Sequence, residues 1–165
     1  MAKIEYPLEQ VIDIKKRRVE QAEKVVKEKE ALLQKEQEKL RQREEERDVV
    51  LNHKKAKLNQ LRDELDHGTT TDKIIAMKDY LKVVEERVKV EEKKVRDQQE
   101  QVNIAEKNLE IAKEELRIKR QEVDKLKTHR EDWMKERKLE LAFEEEKEMD
   151  EVGQTLHTVH QRRGY

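Results

Sequence analysis

Residues 74–133 read IIAMKDYLKVVEERVKVEEKKVRDQQEQVNIAEKNLEIAKEELRIKRQEVDKLKTHREDW. Apolar residues recur in this stretch at steps of three and four, or at plain sevens. They are Ile74, Met77, Leu81, Val84, Val88, Val95, Val102, Ala105, Leu109, Ala112, Leu116, Val123, Leu126 and Trp133, with polar residues at three seam positions, Glu91, Gln98 and Lys119. Such spacing winds two helices left-handedly around each other. The stretch therefore predicts one helix of a coiled coil whose seam faces a second helix.

A second helical stretch precedes this one. Its apolar stripe is Leu8, Ile12, Val19, Ala22, Val26, Leu33 and Leu40, widened by Val11, Val25 and Leu32 and continued by Leu51, Leu58, Leu61 and Leu65. The step from Leu40 to Leu51 is a stutter that locally unwinds a supercoil and places Glu44 and Arg47 in the seam. Two interpretations stay open, a flexible waist or long side chains that pair or reach solvent.

The segment Asp66-His67-Gly68-Thr69-Thr70-Thr71 separates the two stretches. Glycine ends helices in the left-handed conformation, and the threonines can cap the next helix. Because the connection is short, the helices should lie antiparallel as neighbours. We predict an all-α fold, a long antiparallel two-helix coiled-coil hairpin with an overhanging C-terminal helix. Residues 1–165 then form a single elongated domain with helix one at about 7–66, a turn at 67–71, helix two at about 72–152 and, after Gly153, a flexible tail at 153–165.

Helix two is predicted to be longer than helix one and to extend beyond the first residues of helix one. Folding about Thr69 brings Leu8 opposite roughly Arg130, and the residues beyond it lack a partner within the hairpin. This overhang carries the apolar residues Trp133, Met134, Leu139, Leu141, Phe143 and Met149. Apolar side chains on an uncovered helix indicate either a docking surface or a bend back onto the coiled coil.

Composition argues against several classes of function. Charged residues make up 48% of the chain and hydrophobic residues 33%, and the formal net charge of -1 argues against a nucleic-acid partner. With three glycines, no cysteine and no phosphate loop or catalytic triad pattern, we expect no enzyme, no cofactor and no small-molecule substrate. His157 and His160 have a metal-compatible spacing but no third ligand nearby, so we expect them to be solvated. Without an apolar leader or a membrane-length segment, we expect a soluble cytoplasmic protein that does not insert into membranes.

Two surface features are candidate partner sites. The basic run Lys15, Lys16, Arg17 and Arg18 could meet an acidic partner or lipid, although internal charge pairing with the Glu122–Asp124 region explains it at lower cost. Beyond the turn, Leu61, Leu65, Ile74, Met77 and Leu81 should pack in the core. Ile75 and Tyr80 do not fit the seam, and we expect part of this cluster to be exposed as a partner site.

A family resemblance rests on particular residues. They are Tyr6-Pro7-Leu8-Glu9, Ile14-Lys15-Lys16, Leu61-Arg62, Leu65-Asp66, Gly68-Thr69-Thr70, Met77-Lys78, Tyr80 and Glu131-Asp132-Trp133-Met134-Lys135-Glu136. The chain resembles the YscO/FliJ family of type III secretion proteins, in particular its chlamydial YscO-like branch. The resemblance implies a stalk or adaptor at the cytoplasmic face of the secretion apparatus. The implied partners are the secretion ATPase, the export gate protein, and secretion chaperones or the needle-length regulator.

Carried onto this sequence, the resemblance implies that residues from Tyr6 to Arg18 and around Trp133 meet the ATPase, and that residues beside the turn meet the gate. Two other hypotheses remain. One is an escort that lays the helix from Trp133 to Met149, with Met134, Leu141 and Phe143, against a chaperone or a length regulator. The other is self-association through the overhang into a dimer or filament.

Overall fold

The computed structural model describes residues 4–164. It contains two helices, α1 at Glu9–His67 and α2 at Thr71–Arg163, and no strand among those residues. The all-α helical hairpin predicted from the sequence is confirmed. The chain divides into two compact units, unit 1 comprising residues 1–22 with 115–165, and unit 2 comprising residues 23–114. Within each unit a segment of α1 packs antiparallel against a segment of α2.

The seam of α2 lies where its spacing predicts. Every predicted seam position from Ile74 to Trp133, the polar ones included, is buried or half-buried. In unit 2 the buried apolar side chains are Val26, Leu61, Leu81, Val84, Val88, Val102, Leu109 and Ala112. The heptad pattern identified the core because, in a pair of helices, only the stripe that faces the partner helix is buried.

Gln98 and Glu91 are polar seam residues of unit 2 that form hydrogen bonds, while the Oε2 atom of Glu91 is buried without a hydrogen-bond partner. The side-chain nitrogen of Gln98 donates to the Glu36 carbonyl oxygen at 2.9 Å and also to the Glu36 carboxylate. Glu91 accepts a hydrogen bond from Lys94 at 3.3 Å. At the stutter, Glu44 and Arg47 are half-buried at the predicted seam positions, and Arg47 forms an ion pair with Asp48 at 3.3 Å.

Local hydrogen bonds fix the turn in unit 2. Gly68 has a φ of +82°, in the left-handed region that ends helices. The Nδ1 atom of His67 donates to the Asp63 carbonyl at 2.8 Å, and the Thr70 hydroxyl accepts from the Lys73 amide at 3.4 Å. The capping predicted for the threonines is therefore made by Thr70.

Gly68→Ala should destabilise unit 2 by about 1 kcal/mol, because a side chain disfavours the left-handed backbone conformation. No side chain blocks the new Cβ atom, since nothing lies within 4 Å of it, so the cost is conformational. Gly153 is the matched control: it is helical, and its Cβ would also meet nothing within 4 Å. Gly153→Ala should strengthen the local helix by ~0.5–1 kcal/mol. Amide hydrogen exchange around each site measures both effects. If both substitutions changed local stability in the same direction, the conformational explanation would be contradicted.

The predicted ends of the helices need one large correction. The sequence predicts a flexible tail from Gly153, but α2 continues through Gly153 to Arg163. A single glycine in a helix costs only about 1 kcal/mol relative to alanine, which its helix-forming neighbours outweigh. The Thr155 and Thr158 hydroxyls also donate back to the Glu151 and Gln154 carbonyls, each at 2.9 Å.

Leu65 is a second correction. It was predicted to pack in the core, but its side chain is 50% exposed. The seam-facing position in this last turn of α1 belongs to Glu64, which is half-buried and pairs with Lys73 at 3.3 Å. The ion pair between the two helices takes the place of an apolar contact beside the turn.

Candidate partner-binding surfaces

Unit 1 contains an aromatic cluster formed by Tyr6, His129 and Trp133. The Tyr6 ring lies edge-on to the Trp133 indole at a centroid distance of 5.5 Å and tilted against the His129 ring at 5.7 Å. The Tyr6 hydroxyl and the His129 Nδ1 atom share a hydrogen bond. Beside the cluster, Arg130 donates to Glu9 at 2.8 Å, which confirms the predicted alignment of Leu8 with Arg130.

Burial changes the role of Tyr6. The sequence offered Tyr6 as a partner contact, but only 4% of it is exposed, so it packs inside unit 1. The same contact leaves Trp133 half-buried. Edge-to-face aromatic pairs contribute about 0.5–1.5 kcal/mol beyond their buried area. The cluster therefore anchors the residues before α1 to α2 and is not itself a free surface.

The four members of the basic run on α1 differ in their contacts. The Nζ atom of Lys15 lies 3.1 Å from a carboxylate oxygen of Glu122, which confirms internal pairing for this residue. Lys16, Arg17 and Arg18 are exposed. The hydrogen bond from Lys15 lowers the pKa of Glu122 below its ordinary value, against a smaller opposing effect of desolvation, and the charges of Lys15, Lys119 and Arg18 lower it further.

Lys15→Met should raise the pKa of Glu122 toward its ordinary value of 4.5. Because the folded pKa is lowered, the pair stabilises the fold above the pKa of the unfolded chain and stops doing so as pH falls through the folded value. NMR titration of the Glu122 carboxyl carbon measures this shift. Lys16→Met is the control and should leave the titration almost unchanged, whereas an unaltered Glu122 pKa in Lys15→Met would contradict the assignment.

Unit 2 carries candidate contact residues next to the turn, which we call the turn-proximal surface: Tyr80 with Lys57 and His53, and Ile75 on another face of α2, about 140° around the helix from Tyr80. Ile75 is 53% exposed and Tyr80 is 40% exposed. The Tyr80 hydroxyl hydrogen-bonds His53 Nε2 at 2.8 Å, and Lys57 lies 5.5 Å from the Tyr80 ring centroid. These contacts orient Tyr80 while leaving much of its ring accessible, as an interaction site requires.

A shallow groove adjoins this surface. It has a volume of 220 Å³ and is lined by Lys57, Gln60, Lys73, Ala76, Met77 and Tyr80. The lining joins a polarizable methionine and an aromatic ring with two lysines. Such a groove suits an apolar side chain with acidic neighbours.

The end of α2 forms the third surface, in unit 1. Met134 and Leu141 are half-buried, and Phe143 is exposed. From residue 142 to residue 164, which we call the C-terminal extension, every residue is exposed. Apolar side chains on this extension are consequently in water.

Residues 4–164 hold no group of three or more histidines or acidic residues placed to bind a metal ion. Within the same range, neither helix has a stretch apolar enough to cross a bilayer.

Comparison with known proteins identifies the family of this chain. The model of the YscO-like family matches residues 3–163. The chain belongs to the YscO-like family. This family consists of type III secretion proteins with structural or adaptor roles.

A solved structure that covers nearly the whole of this YscO-like chain agrees with the membership. A Chlamydia trachomatis protein described as a YscO homolog, CT670, is 54% identical, with 97% of this chain and 99% of that chain covered at a TM-score of 0.94. A chain from the Chlamydia pneumoniae CdsV and CdsO protein complex is 53% identical, with 50% of this chain and 96% of that chain covered at a TM-score of 0.49. No curated protein sequence matches this chain significantly.

Two histidines of this YscO-like chain make contacts that the sequence pattern did not predict. The sequence indicated no role for either residue, yet His129 on α2 binds the hydroxyl of Tyr6, which precedes α1, and His53 on α1 binds the Tyr80 hydroxyl on α2. The predicted alignment of Leu8 with Arg130 contained a signal for the first pair, because it brings Tyr6 near His129 and Trp133.

Proposed function

We propose that this YscO-like chain is a non-enzymatic stalk or adaptor of a type III secretion system. In this role it binds the secretion ATPase and the export gate at the cytoplasmic face of the apparatus and couples ATPase activity to protein export. The observation that carries the proposal is the family match across residues 3–163. The surfaces of the two units add the groups with which two different partners could be bound.

The ATPase is assigned to unit 1. Lys16, Arg17 and Arg18 present three adjacent exposed cations, and among the four basic residues the sequence singled out, only Lys15 forms an ion pair with Glu122. Their natural counterpart is an acidic surface on the ATPase ring, since electrostatic complementarity guides association and specificity. Trp133 and Met134, both half-buried, lie on α2 in the same unit.

The export gate is assigned to the turn-proximal surface of unit 2. Ile75 and Tyr80 supply exposed apolar area, and the adjoining groove adds Met77 and two lysines. Aromatic residues with a polar group are frequent anchors at protein interfaces. A gate segment that inserts an apolar side chain and flanks it with carboxylates would match this surface.

The experiment measures ATP hydrolysis by the cognate secretion ATPase with and without the purified chain. Stimulation of hydrolysis and binding to the ring are expected. Charge reversal of Lys16, Arg17 and Arg18 should weaken both, while leaving binding to the gate protein intact. Absence of ATPase binding and of stimulation by the unaltered chain would exclude the stalk function.

A matched pair of variants tests the gate assignment. Ile75→Asp should weaken binding to the gate protein by tenfold or more, an estimate of ~1.4 kcal/mol or above for losing a buried aliphatic side chain. Ile111→Asp is the control, because Ile111 is also in unit 2 and is 59% exposed. If Ile75→Asp and Ile111→Asp bound the gate protein equally well, the assignment of the gate to the turn-proximal surface would be contradicted.

The second candidate is an escort that binds secretion chaperones or the needle-length regulator. The observation in its favour is the exposure of Phe143, which follows the half-buried Met134 and Leu141 on the same helix. Deleting the chain after Arg130 discriminates between the two functions. An escort loses its cargo on this deletion, whereas a stalk that binds through Lys16, Arg17 and Arg18 keeps part of its effect on the ATPase.

A further inference from the structure

The C-terminal extension carries an apolar stripe with coiled-coil spacing. Met149, Val152, Leu156 and Val159 follow one another at steps of three, four and three residues. They lie on one face of α2, and their side chains are 41–76% exposed. Steps of three and four indicate a seam between two helices rather than a solvated face.

Charge is divided unevenly along the same helix. Residues 144–151 read EEEKEMDE, with six acidic residues and one lysine. Residues 157–163 read HTVHQRR, with two arginines, two histidines and no acidic residue. The acidic block precedes the centre of the apolar stripe and the basic block follows it.

This arrangement is self-complementary when two copies run antiparallel. If Val152 of one copy packs against Leu156 of the other, the same register packs Met149 against Val159. One layer further out, Glu145 comes level with Arg163. A parallel pairing would instead place the acidic block against itself and the basic block against itself, which electrostatic repulsion opposes.

The flanking positions of the antiparallel register also carry opposite charges. In antiparallel coiled coils, residues that border the seam meet their equivalents on the other helix and set partner choice and orientation. Here Glu148 would lie beside Arg162, and Glu146 beside His160. All four residues are exposed in the structure and able to reach a second helix.

We propose that residues 145–163 form an antiparallel coiled coil with the same segment of a second copy of this chain. The partner that covers the apolar stripe is thus a second copy, because the charge along the segment changes from acidic to basic and so complements itself in the antiparallel pair. The inference goes beyond the proposed function and does not require the ATPase or the gate protein. Since each copy contributes four apolar residues, the contact belongs to the small, transient class of interfaces.

Sedimentation equilibrium of the full chain tests the pairing. The monomer of 20.0 kDa should convert to a dimer as concentration rises toward ~100 µM, as expected for a small interface. Leu156→Asp should raise the dissociation constant at least ~tenfold, because the substitution removes a buried leucine from both copies. Ile111→Asp, an equally exposed position of unit 2, is the control and should leave the constant unchanged.

Charge reversal tests the orientation. Glu148→Arg alone should weaken the dimer, and Glu148→Arg combined with Arg162→Glu should restore it, because the two residues face each other only in the antiparallel register. The absence of cysteine from the chain permits a second test. A mixture of Val152→Cys and Leu156→Cys proteins should form the mixed disulfide under mild oxidation in preference to either symmetric one.

Several results would overturn the proposal. A monomer at every concentration would do so, as would a dimer that Leu156→Asp leaves intact. Preferential symmetric cross-linking of Val152→Cys would indicate a parallel pair and would exclude the antiparallel register. Circular dichroism of each variant verifies that the helices remain, which is expected because all substituted positions are exposed.

Discussion

Val84→Asp is expected to unfold the helix pair of unit 2, whereas the same substitution at the adjacent Val83 is expected to leave it folded. Val84 is 0% exposed and Val83 is 50% exposed. Placing a carboxylate in the seam forces it either to lose its water unpaired or to take up a proton, and both options cost free energy. We expect a loss of at least ~3 kcal/mol for Val84→Asp and less than ~0.5 kcal/mol for Val83→Asp.

Hydrogen exchange of amides within residues 23–114 measures this difference directly. Protection should collapse in Val84→Asp and persist in Val83→Asp. Because the two residues are neighbours on one helix with the same side chain, helix propensity and net charge change equally in both variants. Equal destabilisation would mean that helix formation, rather than the seam, holds unit 2 together.

The contrast between Val84 and Val83 explains why the sequence predicted the seam so well. Burial in a two-helix pair follows the helical period, so that Leu81, Val84 and Val88 identify the contact face by spacing alone. Even the polar seam positions at Gln98 and Glu91 followed this rule. Their partners could not be read from spacing, because the hydrogen bond from Gln98 to Glu36 depends on side-chain conformation as well as register.

The ends of the helices were harder to predict for a physical reason. Neighbouring residues can outweigh one helix breaker, so Gly153 did not end α2 and Gly68, which adopts a positive φ, marks the turn. Candidate surfaces were partly predictable, since Ile75 and Tyr80 were expected outside the seam and are exposed. The burial of Tyr6 was not predicted because the residue precedes the periodic stripe that begins at Leu8, and only the alignment of Leu8 with Arg130 indicated that Tyr6 lies near His129.

Tyr6→Ala is the second large effect we expect, this time in unit 1. Removing a ring that is only 4% exposed should cost about 3 kcal/mol, since buried aromatic-to-alanine substitutions lose both transfer energy and packing. The hydrogen bond to His129 contributes separately. Tyr6→Phe removes only that bond and should cost ~1 kcal/mol.

Trp133 reports on this site because it is the only tryptophan of the chain. In Tyr6→Ala its fluorescence should shift to longer wavelength, as water replaces the tyrosine ring that lies 5.5 Å away. Tyr6→Phe should keep the emission near that of the unaltered chain, because the ring contact survives. Leu8→Ala, two residues away, is the control: Leu8 was predicted to begin the apolar stripe but is 40% exposed, so the substitution should change the emission and the stability much less than Tyr6→Ala.

The same variants separate packing from partner binding in unit 1. If the Tyr6 cluster only orders the residues before α1, Tyr6→Phe should bind the ATPase normally, while charge reversal of Lys16, Arg17 and Arg18 should lose binding without moving the Trp133 emission. If instead Tyr6→Ala left both the emission and local hydrogen exchange unchanged, the aromatic cluster would not be stable in solution. Because ring packing and surface charge lie on different side chains of one unit, the two effects can be measured independently.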